Sequence, residues 1–522
     1  MNALIIHLIL LIYMLVAPTH IAARDSNSED ANGKTFFSIN PQYTTGCPEH
    51  LIFYHNRMLE REDGVWGSFQ AVMFGGQTVS SEGLARYFMP FNQMCLVVAE
   101  GPNANSAFIT PTPVVYSGGS DAFKKDAYDV LAQNFNIATE NNDFESTICL
   151  DPKQSYIGVA FNYRQSISDI EDKGFWFDIT APVIHVKNDI GLSESFTHTF
   201  SPSLPGHPNN MKEALQQSAW KYGKISSCPL QKTHFSDIEI RIGYDTIRED
   251  IFSYGAFIGI ICPSGNKPTG EFVFEPMVGR NGHWGIMWGS TITYEMWASE
   301  TGSIHATLDA NNYYMFEHGE IRSFDLKDKQ WSRYINVFTS QDATEVTPGI
   351  NTLTRCLKVR PKGTYQMNSA LTFKHNKFEC EGGMYLYIRQ AEEVQLKQKW
   401  IEDPAIAGVL PFDGTNPAQS MSLANMNAWD YSLISQDVDF SKLAILAANN
   451  TPLYKPIQET DLNLGSASHP ATIAHKFYVG IAGNWDNIEY PTFVGGGASY
   501  QWSSDNAAVS RWSVFGKIGV SV

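Results

Sequence analysis

The chain has 522 residues, a formal charge of −17 and only 17% charged side chains. An acidic chain with no basic block excludes nucleic acid as a partner, because phosphate binding needs a cationic face. Charge below the ~25% of ordinary soluble domains, beside 12 Trp, 23 Tyr and 31 Phe, points to a protein with much apolar surface to place.

The first 23 residues read as a secretory signal peptide. An apolar run from Leu4 to Val16 is followed by Ile21-Ala22-Ala23 ahead of Arg24. Beyond it no apolar run approaches the ~20 residues of a membrane helix, so the remainder either crosses a bilayer as strands or does not cross one. Residues 24–46 are polar and rich in Asp, Ser and Asn, which predicts a disordered or loosely attached segment. Residues 47–522 read as one all-β unit with long insertions near 75–154, 187–235 and 391–474. Cys47, Cys95, Cys149, Cys228, Cys262, Cys356 and Cys380 are widely spaced without C-x-x-C, which disfavours zinc or iron–sulfur sites. Their odd number leaves a thiol unpaired or bridged to another molecule. Cys356 and Cys380 flank a hairpin and are one candidate pair, and the spacing leaves the connectivity open.

Segments that alternate with period two recur along the chain. Ile157, Val159, Phe161 and Tyr163 alternate with smaller or polar residues, as do Phe175, Phe177 and Ile179. Ile238, Ile240, Ile242 and Tyr244 oppose Asp237, Glu239, Arg241, Gly243 and Asp245, and such a charged strand face needs water or mutual pairing. Trp284, Ile286, Trp288, Ile292, Tyr294 and Met296 share one face, with aromatics at both ends as amphipathic rings sit at the two interfaces of a bilayer. Further strands are expected near 252–262, 303–315, 364–375, 379–390, 475–485 and 491–502, with weaker ones near 50–58, 65–74 and 326–338. In the closing strand Trp512, Val514, Gly516, Ile518, Val520 and Val522 form an apolar face against Arg511, Ser513, Phe515, Lys517, Gly519 and Ser521. The fold expected is a transmembrane antiparallel β-barrel of about 14 strands (roughly 12–16), with a few short loop or plug helices.

Placing Val522 on the periplasmic side puts the short turns 376–378 and 486–490 there too, and the long 339–363 and 391–474 outside, as membrane barrels prefer. The same count puts 75–154 and 187–235 in the periplasm despite their length. Either a strand is miscounted before residue 236, or these segments fold into the barrel. Helical periodicity is expected near 121–135, 211–222 and 391–401.

No nucleophile elbow, zinc-protease helix, phosphate loop or dinucleotide fingerprint occurs, so no catalytic residue and no cofactor is assigned. His469 and His475, and the fragment Asp437-Val438-Asp439, are weak metal candidates lacking further ligands. Asp178, Asp237, Glu239 and Glu295 offer carboxylate pairs for hydrolysis, which chance alone supplies among 54 acidic residues. The better candidates are the charges on the polar strand faces: Arg164, Asp178, Asp237, Glu239, Arg241, Asp245, Glu295, Asp309, Lys374, Arg389 and Lys517. Facing one another across a barrel, they would set a transverse field on small polar solutes. Trp284, Trp288, Tyr294, Trp485, Tyr500, Trp502 and Trp512 are the expected membrane-girdle aromatics.

The terminal strand, together with the turn Pro263-Ser264-Gly265-Asn266-Lys267-Pro268-Thr269-Gly270, resembles bacterial outer-membrane β-barrels of the porin or solute-transport type. Such proteins usually end on an aromatic residue, and this chain ends on Val522. The resemblance implies a pore and no reaction, with the lipid bilayer, the barrel-assembly machinery and small-molecule solutes as partners, and homo-oligomers as an open option. The competing expectation is a secreted or surface-exposed β-sandwich that binds carbohydrate or a host surface. It would bury its apolar face between two sheets.

Overall fold

A computed structural model describes residues 32–38, 40–53, 67–100, 129–141, 143–167, 174–249, 251–339, 346–401, 404–406, 456–485, 489–503 and 506–521. The segment expected to be a signal peptide, Asp437 to Asp439 and Val522 lie outside these residues. Twelve strands follow one another around a ring: β1 Gly67–Thr78, β2 Lys153–Ser166, β3 Gly174–Asp189, β4 Ile238–Glu249, β5 Phe252–Cys262, β6 Gly285–Ala298, β7 Gly302–Met315, β8 Lys362–His375, β9 Phe378–Arg389, β10 Thr472–Trp485, β11 Thr492–Ser503 and β12 Arg511–Ser521. Each pairs antiparallel with the next, and β12 closes on β1 in the register Phe74↔Phe515. A sheet that closes on itself has no second sheet to bury its outer face, so the β-sandwich expectation is overturned.

Alternation decides which way each side chain points. In β12, Arg511, Ser513, Phe515, Lys517 and Ser521 are buried inside while Trp512, Val514 and Ile518 are exposed outside. In β6 the one apolar residue on the polar face, Met287, packs inside with Ile261, Tyr313 and Met315.

The wall's ladders shift register between Tyr254 and Gly255 and between Glu295 and Trp297, and the side of β3 that faces β4 breaks at Pro182. Between Thr180↔Glu239 and Val183↔Phe235, two residues of β3 face three on the opposing chain. Proline has no amide hydrogen to donate, so the ladder cannot run through it, and a bulge absorbs the extra residue. Beyond that bulge the strand Leu230–Phe235 pairs with β3 above the ring, which makes it a thirteenth strand outside the closed barrel.

With one exception, the seven-residue 504–510 at the long-loop end, the connections sort by length. Those spanning 79–152, 190–237, 263–284, 316–361 and 390–471 all leave one end, and the short ones at 167–173, 250–251, 299–301, 376–377 and 486–491 all lie at the other. The conflict over 75–154 and 187–235 therefore disappears, and its cause is specific. The expected strand near 326–338 is no wall strand: it holds the short pairs Asp325–Leu326 and Asn336–Phe338 around a turn at Ser332–Tyr334. Removing one false strand flips the sidedness of everything before it. The described start of the expected strand 50–58 is the end of the helix Pro48–Leu51 and a turn, and residues 54–66 lie outside the described set.

The long connections fold into a cap over their end of the barrel. Cys95–Ala99 pairs with Val130–Leu131 and Glu145–Cys149, the last of which pairs with Ser193–Phe196. A Cys95–Cys149 disulfide staples two of these strands, whereas Cys356 and Cys380 are both free, correcting their candidate pairing. Beneath lies an aromatic core in which Trp220 stacks on Tyr334, with Phe135 and Trp331 around them. A second core gathers Phe324, Leu357, Val359, Trp400 and Leu462.

Little of the expected helix exists among the described residues. Val130–Leu131 is a strand followed by a turn of 3-10 helix, only Met211–Ala214 of 211–222 is helical, and Glu393–Leu396 is a strand. Short apolar spacing here reflects burial in the cap.

Candidate functional site

The described part of the segment expected to hang loose is packed from end to end. Gly33 and Lys34 donate backbone hydrogen bonds to the Met89 and Tyr87 carbonyls in the cap, and Phe37 enters the aromatic core. From there the chain turns down into the barrel, and residues 42–50 are all buried. This stretch has no extended ladder of its own, so its backbone groups must find partners on the wall. Thr45 N–H donates to Glu239 of β4 at 2.9 Å, Gly46 N–H to the Tyr313 hydroxyl of β7 at 3.1 Å, and Phe53 N–H to Glu381 of β9 at 3.1 Å. Gly46 sits where the plug meets the wall most closely: a Cβ there would fall 2.3 Å from Gln366 Oε1.

Side chains complete the attachment. Glu49 lies between β10, β11 and β12. It accepts from Lys476 Nζ at 2.8 Å, from Ser513 Oγ at 2.9 Å and from Ser499 Oγ at 3.3 Å. Lys517 Nζ donates to the His50 and Ile52 carbonyls. His50 Nε2 faces an Arg241 guanidinium nitrogen at 3.4 Å. A guanidinium can only donate, so Nε2 accepts and the proton of a neutral ring sits on Nδ1, toward the Tyr43 hydroxyl at 2.9 Å. Tyr43, Ile52 and Phe53 pack on Phe74, Tyr156, Tyr478 and Phe515 of the wall.

The expected lumen charges divide by position. Arg164 lies over the Trp176 ring and pairs with Asp245 at 2.8 Å, and Arg241 pairs with Asp178 at 2.9 Å. Glu239 holds both the plug and Arg280, the latter at 2.8 Å. Asp237 stands just before β4 and accepts the Arg280 backbone N–H at 2.7 Å. Asp309 accepts from Thr291 within the wall. Glu295 and Lys374 are only partly buried, toward the short-turn end, where Glu295 lies 3.9 Å from His305. Arg389 ends β9 at the cap end and donates to the Ser38 carbonyl and hydroxyl, both at 3.0 Å.

Sequence reasoning missed Glu49, His50, Glu381 and Lys476. Lys476 was open to discovery, since it shares the inward phase of Thr472, Ala474 and Tyr478. Glu49 and His50 carried no periodic signal at all. The metal candidates separate: His469 is buried in the cap, while His475 stacks on Trp502 of the outer wall. Among the described residues no cluster of three or more His, Cys, Asp or Glu could hold a metal ion.

Where cap and barrel meet, a buried ionic chain runs from His283 to Glu320 at 2.6 Å, on to Arg322 at 3.0 Å, and from Arg322 to Glu392 at 2.6 Å. Burial would push the Glu392 carboxyl up, but the Arg322 guanidinium outweighs it and holds it at about 2. Burial likewise depresses the His283 imidazole, and the hydrogen bond and charge of Glu320 reverse this, leaving it raised. Beside this chain a cleft opens between the plug and β7–β9, lined among others by Ser38, Pro41, Arg280, Asn281, His283, Tyr313, Met315, Thr364, Gln366, Tyr387 and Arg389.

The outer face supplies the deciding contrast. Trp284, Trp288, Tyr500, Trp502 and Trp512 are exposed toward the cap end, and Tyr294 and Trp485 toward the short-turn end. Between them Val479, Ile481, Val494, Val514 and Ile518 face outward. A belt of aliphatics between aromatic rims is stable against lipid and unfavourable against water. The chain is a transmembrane β-barrel.

No family model and no curated protein matches the chain. Among solved structures it is similar to an outer membrane channel from Pseudomonas putida F1, with 7% identity and a TM-score of 0.37 over 89% of this chain and 100% of that one. It is similar also to the toluene transporter TodX of Pseudomonas putida, with 8% identity and a TM-score of 0.28 over 94% and 96%. The transport unit of the autotransporter AIDA-I from Escherichia coli gives 8% identity and a TM-score of 0.27 over 89% and 91%. At these scores the likeness carries no argument about what this chain passes or binds.

Proposed function

We propose that the chain is an outer-membrane channel for small solutes, exported behind its N-terminal signal peptide and inserted by the barrel-assembly machinery. In its resting state the lumen is closed by residues 42–53. The observation that supports this most is the chemistry of the plug's seat. An inert filler would sit on apolar wall alone, but this one, beside its apolar contacts, is held by charged and hydroxyl side chains from β4, β7, β9, β10 and β12. Polar contacts of this kind exchange for water at small net cost, so a lumen built from them stays wet when the plug leaves. The charges named from the sequence, with Glu381 and Lys476 added, then line the path.

Planar-bilayer recording of the refolded protein, with and without residues 24–66, tests the proposal. The shortened chain keeps all twelve wall strands and is expected to conduct steadily where the full chain is closed or flickers. A shortened barrel that still shifts on a gel after boiling but conducts no better than the full chain would sink the reading.

A further inference from the structure

One cation at the cap end is not matched like its neighbours. Arg280 pairs with Asp237 and Glu239, and Arg322 with Glu320 and Glu392. Arg389 is 5% exposed and makes no ion pair within 4.0 Å among the described residues; only its Nη1 is engaged, by Ser38. Its Nε and Nη2 are buried and have no hydrogen-bond partner among those residues. Glu392 feels the charge of Arg389, but its hydrogen bonds go to Arg322 and the His469 amide.

The Nε–Nη2 edge is the side of a guanidinium that takes the two oxygens of a carboxylate, in one plane and with two parallel hydrogen bonds. Arg389 is on the inward phase of β9 and lines the cleft, with Thr364 directly across the ladder. Tyr313, Met315, Tyr387 and Pro41 offer an apolar body a seat there, and Arg280, Asn281, His283, Thr364 and Gln366 add polar groups around it. Apolar surface beside a set of placed polar groups is the common build of a small-ligand site.

We infer that the cleft at the cap end is a binding site for a small aromatic or aliphatic carboxylate, with Arg389 holding the carboxylate by its Nε–Nη2 edge. This deepens the channel reading by naming a solute class, and rests on it only for the idea that the bound molecule is on its way through.

The probe is benzoate, with benzyl alcohol as its uncharged counterpart, titrated calorimetrically into the refolded full-length barrel. Benzoate is expected to bind at least tenfold more tightly than the alcohol, and Arg389→Gln to weaken benzoate at least tenfold while leaving the alcohol unchanged. Arg389→Lys keeps the charge but loses the fork, and should fall between. Equal affinity for the two probes, or Arg389→Gln binding benzoate as the wild type does, overturns the site and leaves Arg389 a structural anchor for Ser38. If Arg389→Gln gives no heat-shifting barrel, Thr364→Trp decides: it keeps the guanidinium but fills the cleft beside it and must abolish binding of both probes, and retained binding overturns the site. Benzoate binding in a barrel that never conducts keeps the site and removes the channel. Conductance without benzoate binding does the reverse.

Discussion

Replacing Glu49 by alanine should unseat the plug while leaving the barrel intact. In the wild type Lys476 is 3% exposed and has both carboxylate oxygens of Glu49 within 3.2 Å. Without Glu49 the ammonium stays buried with the Tyr385 ring at 5.5 Å as its remaining contact. Removing one partner of a buried ion pair costs about 3–5 kcal/mol, because the other charge is left uncompensated. Only the docked state bears that cost here, since undocking lets water reach Lys476. At about 1.4 kcal/mol per tenfold change, the ratio of docked to undocked plug should fall roughly a hundred- to several-thousand-fold. Single-channel recording measures this as open dwell time, with the heat-dependent gel shift as the check that the wall still closes. Glu49→Gln combined with Lys476→Met removes both charges and should return most of the closure, because apolar replacement of a buried pair is often neutral. The reasoning is refuted if Glu49→Ala stays as closed as the wild type, or if the double variant leaks as much as the single one.

Two further outcomes follow from the cap and the outer wall. Glu392 is held at about 2 against an ordinary value of 4.5. Its contribution is therefore complete above pH ~4.5 and lost as pH falls toward ~2. Tryptophan fluorescence of the cap, with Trp400 and Trp331 in its cores, should show an acid transition in that window that Glu392→Gln flattens, and an unchanged transition would refute the assignment. Val479 lies mid-strand on the lipid face of β10, so Val479→Arg should destabilise the folded barrel in lipid by about 2–4 kcal/mol in urea titration. A loss below about 1 kcal/mol would mean that this face does not meet hydrocarbon.

The wall was legible because lipid on one side and a polar filling on the other impose opposite demands on alternate residues. That contrast is plain in β4, where Ile240 and Ile242 oppose Glu239 and Arg241, and in β12 down to Lys517 and Ile518. It fails where both faces of a segment are covered. In the run near 326–338, residues 331–335 are all buried in the cap, Arg333 against Asp325 at 2.7 Å, so both phases are covered and alternation separates no outer face there. The plug fails for a different reason. Its burial is set by the wall around it and not by its own pattern, and Pro48-Glu49-His50 reads as surface until β10 and β12 are placed beside it.

That dependence runs in both directions and bears on what an open lumen would be. With the plug seated, its groups answer the wall: Glu49 balances Lys476, two plug carbonyls take Lys517, and plug amides take Glu239 and Glu381. Once it leaves, β10 and β12 turn a charge or a donor toward water, and β4 and β9 turn carboxylates toward water. Arg164, Arg241 and Arg280 keep their own carboxylates on the β2–β4 side and its adjoining loop. Undocking therefore does more than clear a path. On the proposed reading it would uncover Lys476 and Lys517 on one arc of the wall and Glu381 on the next, with Glu239 still held by Arg280, so the transverse field expected from the sequence would be stronger in the open state than in the closed one.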